Sequence, residues 1–136
     1  MNRLCLAALL LSGCATVARD EGLLRLAAFE CDVSPPIGHP LCAGGRKPVE
    51  SIESPLLAKG VVLADGPDRY VVCAVDWCRI QNEAYDLFRA KIAAAVGTTP
   101  SRVAVHCTHC HEAPLADVGA QKILNRFPSP PVHRTT

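Results

Sequence analysis

A chain of 136 residues is long enough for one domain with a modest core and too short for a large multi-layer enzyme. Apolar residues make up 49% of it and charged residues 20%, a balance that is typical of a globular protein rather than a disordered one. The formal net charge of +1 provides no basic surface, so nucleic acid is not an expected partner.

The first 18 residues have the pattern of a bacterial export signal. Arg3 precedes the apolar run 4–11, and small residues follow it. The tetrapeptide Leu-Ser-Gly-Cys at 11–14 resembles a lipobox, which predicts lipidation of Cys14 and a membrane-anchored lipoprotein. The alternative is an ordinary signal cleaved near Ala18, which would release a periplasmic or secreted protein.

A first strand is expected over 23–33, because the prolines that follow cannot continue a hydrogen-bonded ladder. Residues 37–54 contain several Gly and Pro residues without a period, and this predicts a long loop of the kind that lines functional sites.

Residues 55–64 and 69–76 predict two strands joined by an Asp-Gly-Pro-Asp turn, hence a β-hairpin. The second strand is apolar on both faces, so we expect it to be central and covered above and below. Asp76 at its end is either an active-site carboxylate or a residue that caps the following helix or braces the neighbouring loop.

Residues 81–96 carry the clearest helical pattern, with Asn82 as a candidate N-cap and Gly97 as the terminating residue. The side chains expected on its buried face are Ala84, Leu87, Phe88, Ile92, Ala95 and Val96. A turn then leads into a strand over 102–108, and this strand, helix, strand order predicts a right-handed parallel crossover. The fold class is therefore α/β, with a hairpin followed by a strand-helix-strand unit in a mixed sheet.

Segment 106–112 concentrates three histidines, two cysteines and a carboxylate at the end of the last strand. Because side chains alternate on a strand, Cys107, His109 and His111 should share one face. Residues two apart on a strand are about 6.5 to 7 Å apart, a gap that two imidazoles can close onto one zinc ion at about 2.0 to 2.1 Å each. These three side chains are therefore candidate ligands of one metal.

Six cysteines lie outside the leader, and their spacing does not define a disulfide framework. The favoured interpretation is that they are free and buried, as expected for Cys73 within an apolar strand. A C-x-x-C pattern at 107–110 leaves open a thiol function in redox chemistry or metal delivery.

Several segments follow one another in an order that is more specific than any one of them. They are Asp-Val-Ser-Pro-Pro-Ile-Gly at 32–38, Leu-Ala-Lys-Gly-Val-Val-Leu-Ala-Asp-Gly at 57–66, the strand 71–76, the helix, and Thr-His-Cys-His-Glu-Ala-Pro at 108–114. Over residues 26–118 this order resembles the N-terminal part of the neutral/alkaline (non-lysosomal) ceramidase family, in which the last segment typically reads Thr-His-Thr-His-Ser-Gly-Pro.

The resemblance implies that His109 binds the catalytic zinc ion and that His111 lies beside the metal and assists the reaction. Cys110 stands where the family has threonine, and Glu112-Ala113 replaces Ser-Gly, which indicates a divergent subgroup. Glu112 adds a carboxylate that could orient a ligand histidine, and it is the second candidate catalytic residue.

The activity implied by the resemblance is zinc-dependent hydrolysis of the N-acyl bond of ceramide-like lipids. The family's remaining zinc ligands, a histidine, a glutamate and a tyrosine, lie beyond the matching region. We therefore expect an N-terminal fragment of a larger catalytic domain at 23–120, inactive alone, followed by an unstructured tail at 121–136. The alternatives are a lipid-anchored non-enzymatic structural or binding domain or an inactive remnant, and a thiol or metal-handling protein.

Overall fold

The computed structural model describes residues 23–127 of the chain. The predicted signal at 1–18, the lipidation site Cys14 and residues 128–136 of the predicted tail lie outside the described residues. The elements are β1 (Arg25–Asp32), β2 (Leu57–Asp65), β3 (Asp68–Val75), β4 (Arg79–Gln81), α1 (Asn82–Val96), β5 (Val103–Cys107), β6 (Leu115–Asp117) and α2 (Val118–Leu124).

Four strands form the main sheet in the order β1-β2-β3-β5. The hairpin β2–β3 and the pair β1–β2 are antiparallel, whereas β3 and β5, which are connected through α1, are parallel. The predicted α/β class, with a hairpin followed by a strand-helix-strand unit in a partial mixed sheet, is confirmed. The parallel pairing brings the carboxyl ends of β3 and β5 side by side.

The two faces of this sheet differ in cover. On the face that packs against α1, Val71, Cys73 and Val75 of β3 are each at most 2% exposed, and they form a core with Val103, Val105 and Ala93. On the opposite face, Tyr70 and Val72 are each 44% exposed. β3 is central as predicted, but the prediction of cover on both sides is wrong for the part of the chain that the structure describes.

α1 presents a slightly different face to the sheet from the predicted one. Ala84 and Ala93 are buried, whereas Leu87 is 48% exposed and Ala95 is also exposed, so the assignment of these last two to the core is wrong. Two overlapping apolar stripes were available at helical spacing, and the one containing the small Ala93 lets the helix approach the sheet closely.

The ends of α1 confirm one prediction and correct another. Gly97 closes the helix in a left-handed conformation (φ 74°), and its N–H donates to the carbonyl of Ala93. Asn82 does not cap the helix: Gln81 occupies the N-cap position, and the Nδ2 of Asn82 instead donates to the Asp117 carboxylate at 3.1 Å.

A second, two-stranded parallel sheet pairs β4 with β6 and was not predicted. β6 leads directly into α2, whose first turn is capped by Asp117 Oδ1 accepting the N–H of Ala120 at 3.0 Å. α2 continues through residues 121–124, where the sequence predicted the start of the tail. None of the helices within residues 23–127 is both long enough and apolar enough to span a bilayer.

Candidate functional site

The histidine-rich segment begins where β5 ends and runs beside the segment that follows β3. The N–H of Thr108 donates to the carbonyl of Val75 at 3.0 Å, and the N–H of His109 donates to that of Trp77 at 3.2 Å. The two chains therefore continue side by side beyond the strands. This pairing delivers His109 to the segment that contains Cys78.

His109 and His111 meet at their ring edges. Their Nε2 atoms are 3.3 Å apart, and the rings lie nearly perpendicular, with centroids separated by 4.9 Å. β5 ends at Cys107, and His109 has a left-handed backbone with φ 66°. The prediction that these residues alternate on a strand is therefore wrong beyond Cys107; a turn brings the two rings together.

A backbone carbonyl fixes the orientation and tautomer of His109. Its Nδ1 lies 2.9 Å from the carbonyl oxygen of Cys78. Because a carbonyl only accepts, Nδ1 carries the hydrogen in the neutral ring, and the lone pair of Nε2 then points toward His111. Histidines that bind metals usually have this arrangement, with one nitrogen donating to a backbone or carboxylate oxygen and the other free for the ion.

The separation of the two Nε2 atoms suits one shared ion. Two imidazole nitrogens at about 2.0 to 2.1 Å from a tetrahedral zinc ion are themselves about 3.3 Å apart, which is the distance observed between His109 and His111. The pair thus fits two corners of a tetrahedral site.

A third ligand is not assembled in this part of the chain. Within residues 23–127, no group of three His, Cys, Asp or Glu side chains is arranged to hold a metal ion. Cys107, predicted to share a face with the two histidines, is half-buried on the α1 side of the sheet, and burial raises the pKa of its thiol. Within residues 23–127 the predicted trio is therefore not assembled, while the two histidines lie together.

The other candidate residues have different surroundings. Glu112 is exposed, and its side chain has no hydrogen bond or ion pair with any of the residues from 23 to 127. His106 lies on the open face of the sheet, beside Ala74 in the register, and lines a groove there with Glu30 and Lys59. A second cavity of about 330 Å³ borders both His106 and His109, with Ile80, Tyr85 and Cys107 among its other lining residues.

Asp76 braces the strand ends. One of its carboxylate oxygens accepts the N–H of Leu57 at 3.1 Å, and the other accepts the hydroxyl of Thr108 at 3.2 Å. Both oxygens thereby connect β2, β3 and the segment after β5. Of the two interpretations left open by the sequence, these contacts support the brace.

The positions of Cys107 and Cys110 differ from those that the C-x-x-C interpretation predicts. Cys110 is exposed and its sulfur contacts the hydroxyl of Thr108 at 3.3 Å, and no helix begins at this position. The one thiol–thiol contact among the described residues joins Cys42 and Cys78, whose Sγ atoms are 3.7 Å apart. Burial, followed by the hydrogen bond with Cys42, raises the pKa of the Cys78 thiol.

Sequence reasoning missed both Cys42 and Cys78 as neighbours of the histidine pair. The main-chain carbonyl of Cys78 accepts a hydrogen bond from His109. Because every residue has such a carbonyl, the residue type does not reveal this role. Cys42 lies within the long predicted loop, and the length of that loop was the only available signal.

Comparison of the chain with protein-family models, with curated proteins and with solved structures found no match. The resemblance to neutral ceramidases is therefore carried by the sequence segments alone.

Proposed function

We propose that this chain supplies two imidazoles, His109 and His111, of a zinc centre in an amide hydrolase similar to the neutral ceramidases. The observation that carries the proposal is the 3.3 Å separation of their Nε2 atoms, with His109 held by the Cys78 carbonyl. His109 is the metal ligand. His111 is the catalytic neighbour, close enough to bind the same ion or to exchange a proton beside it.

The side chains present supply part of the ligand set that zinc needs. The imidazole of His109 matches its preference for nitrogen ligands, and a catalytic site needs three protein ligands. The remaining ligands are assigned to residues outside 23–127, so hydrolytic activity is expected only once they are supplied. When bound, the ion would activate water and polarise the acyl carbonyl of an amide.

The substrate class in this proposal is an N-acyl amine of lipid character. Support comes from the cavity of about 330 Å³ beside His109, which combines the apolar surfaces of Ile80 and Tyr85 with polar side chains such as Arg79 and Gln81, since sites for amphipathic ligands contain both kinds of surface. Glu112, at the exposed end of the histidine turn, is the proposed group that orients a ligand or moves a proton. Export, with lipidation at Cys14, would place the site at a membrane surface.

Zinc binding by the purified chain tests the ligand assignment. We expect wild type to bind zinc near neutral pH, and His109→Ala to bind it at least about tenfold more weakly, because the oriented ligand is lost. His39→Ala is the matched control, since it removes a histidine of loop 37–54 that is not among the residues lining the cavity beside His109. Titration calorimetry and metal analysis after dialysis provide affinity and stoichiometry.

Two outcomes would contradict the assignment. Equal zinc affinity in wild type and His109→Ala would remove His109 from the metal site. Affinity lost instead in Cys42→Ser would transfer the metal to the thiol pair.

A non-enzymatic binding module is the second candidate, because the open face of the sheet exposes Leu26 (64%), Tyr70 and Val72. Such a module predicts that zinc affinity is negligible in wild type and in all three variants. The calorimetric series thus separates the two candidates.

A further inference from the structure

Two cysteines from distant parts of the sequence meet beside the histidine pair. Cys42 lies in a short 3-10 turn, Cys42–Gly44, within the long loop, and Cys78 follows β3 by three residues. Their Sγ atoms are 3.7 Å apart, and within residues 23–127 no other two thiols make a hydrogen-bonding contact. Cys78 is 3% exposed, whereas Cys42 is partly accessible to solvent.

A buried dipeptide holds both cysteine backbones in place. The N–H of Cys42 donates to the carbonyl of Ala113 at 2.9 Å, and the N–H of Cys78 donates to the carbonyl of the next residue, Pro114, at 2.8 Å. Ala113 is 0% exposed and Pro114 is fully buried. Because consecutive carbonyls of one buried segment bind the two cysteines, their relative position is fixed by the fold.

The backbone conformation of loop 37–54 supports the same contact between Cys42 and Cys78. Cys42 and Ala43 both have left-handed backbones, with φ of 46° and 56°, a conformation that residues with a Cβ keep only where the surroundings determine it. The base of the loop is closed by hydrogen bonds from Gly38 to Val49 and from Val49 to His39, at 2.8 and 3.0 Å. The strained turn therefore presents Cys42 to Cys78.

We propose that Cys42 and Cys78 form a disulfide when the chain meets an oxidising small-molecule disulfide. The Cys42 thiolate attacks one sulfur of the oxidant, and the oxidant's other sulfur leaves as a thiol. Cys78 then attacks Cys42 Sγ in this mixed disulfide and releases the second thiol. The two protein thiols are oxidised, and the oxidant is reduced to two thiols that carry the two protons.

Closing the bond needs a small movement. The sulfur atoms must approach from 3.7 Å to about 2.05 Å, a movement of less than about 2 Å. The product would tie loop 37–54 to the segment whose Cys78 carbonyl holds His109 at 2.9 Å. The inference stands whether or not the histidines bind zinc.

Peptide mapping of the full chain tests the proposal. The chain is incubated with oxidised glutathione at mildly alkaline pH, remaining thiols are alkylated, and the protein is cleaved before aspartate. This cleavage separates Cys42 in peptide 32–64 from Cys31, and Cys78 in peptide 76–85 from Cys73. We expect these two peptides to be joined, with a mass lower by two hydrogen atoms than their sum. Thiol reduction should separate them.

Thermal unfolding supplies a second measurement. Closing a loop between distant residues should raise Tm by about 10 °C relative to the reduced chain. Cys42→Ser should lose both the joined peptide and the redox-dependent shift in Tm, while Cys31→Ser, which removes an exposed thiol, should keep both. Full alkylation of Cys42 and Cys78 after oxidation of wild type, or joining of any other pair in their place, would overturn the proposal.

Discussion

The two faces of the four-stranded sheet carry comparable apolar side chains, yet only one is covered within residues 23–127. Val71 and Val72 are neighbours on β3, and they are 1% and 44% exposed respectively. The first packs against the core beneath α1, and the second lies on the open face beside Val61 in the register. An apolar pattern on a strand therefore indicates which side chains can be buried. Which of them are buried depends on the elements that pack against each face.

The candidate site lies at the end of the same strands, at the edge of the covered half. Cys78, whose carbonyl orients His109, is buried, while the rings of His109 and His111 are exposed. Rigid packing on one side and access on the other is the combination that a binding site requires. Substitutions that compare the covered and open faces therefore also test the packing that holds the candidate site in place.

The largest expected effect comes from Gly60→Ala in β2. A Cβ at this position would lie 2.6 Å from the carbonyl oxygen of Val72 and would collide with the ring of Phe29. Because the backbone of the paired strand cannot move freely, we expect the free energy of unfolding to fall by about 3 kcal/mol. Urea denaturation followed by circular dichroism measures the loss.

The double variant Gly60→Ala with Phe29→Ala is the informative companion. It removes the collision with the ring and keeps the one with the Val72 carbonyl, so the additional loss from Phe29→Ala should be smaller than in wild type. A neutral Gly60→Ala would show that β2 and β3 are farther apart in solution than the register requires.

A matched pair of substitutions on β3 measures how much more the covered face contributes to stability than the open face. Val71→Ala should lower the free energy of unfolding by about 2 kcal/mol, because it leaves a cavity in the core. Val72→Ala removes the same atoms from the open face and should cost at most about 0.5 kcal/mol. Denaturation midpoints of the two variants at equal protein concentration give the difference. Equal losses would mean that the open face is covered in solution.

Most of the fold could be predicted because the main elements have long local patterns. β1, β2, β3, β5 and α1 all fall within the predicted segments or within one residue of them. β4 and β6 have three residues each and are stabilised by pairing across 36 positions, Arg79 with Leu115. No local pattern encodes a pairing of that kind, so it could not be found from the sequence.

The candidate site also has parts that could be predicted from the sequence and parts that could not. His109 and His111 were identifiable because their side chains are the donors. The carbonyl of Cys78 and the contact between Cys42 and Cys78 depend on where the backbone runs, and they follow from the buried segment at Ala113. Residue types predicted which groups could do chemistry, and tertiary packing determined how they are held.

The smallest expected effect tests how completely α1 covers its face of the sheet. Burial raises the pKa of the Cys73 thiol above its ordinary value of 9.0, and this thiol is 2% exposed. Well below pH 9 the thiol is neutral in both states, so its contribution to stability is fully present. As pH rises further, the unfolded chain ionises first, and the free energy of unfolding falls until pH passes the folded pKa.

Under reducing conditions, wild type should therefore lose stability more steeply than Cys73→Ala, which lacks this thiol, as pH rises from about 8 through 9 and above. Cys110→Ala removes an exposed thiol and controls for the general effect of losing one. Thermal unfolding across the pH series measures the slopes. Parallel slopes for wild type and Cys73→Ala would mean that water reaches Cys73 in the folded chain, and the contrast between the covered and open faces would then be weaker than the exposures of Val71 and Val72 indicate.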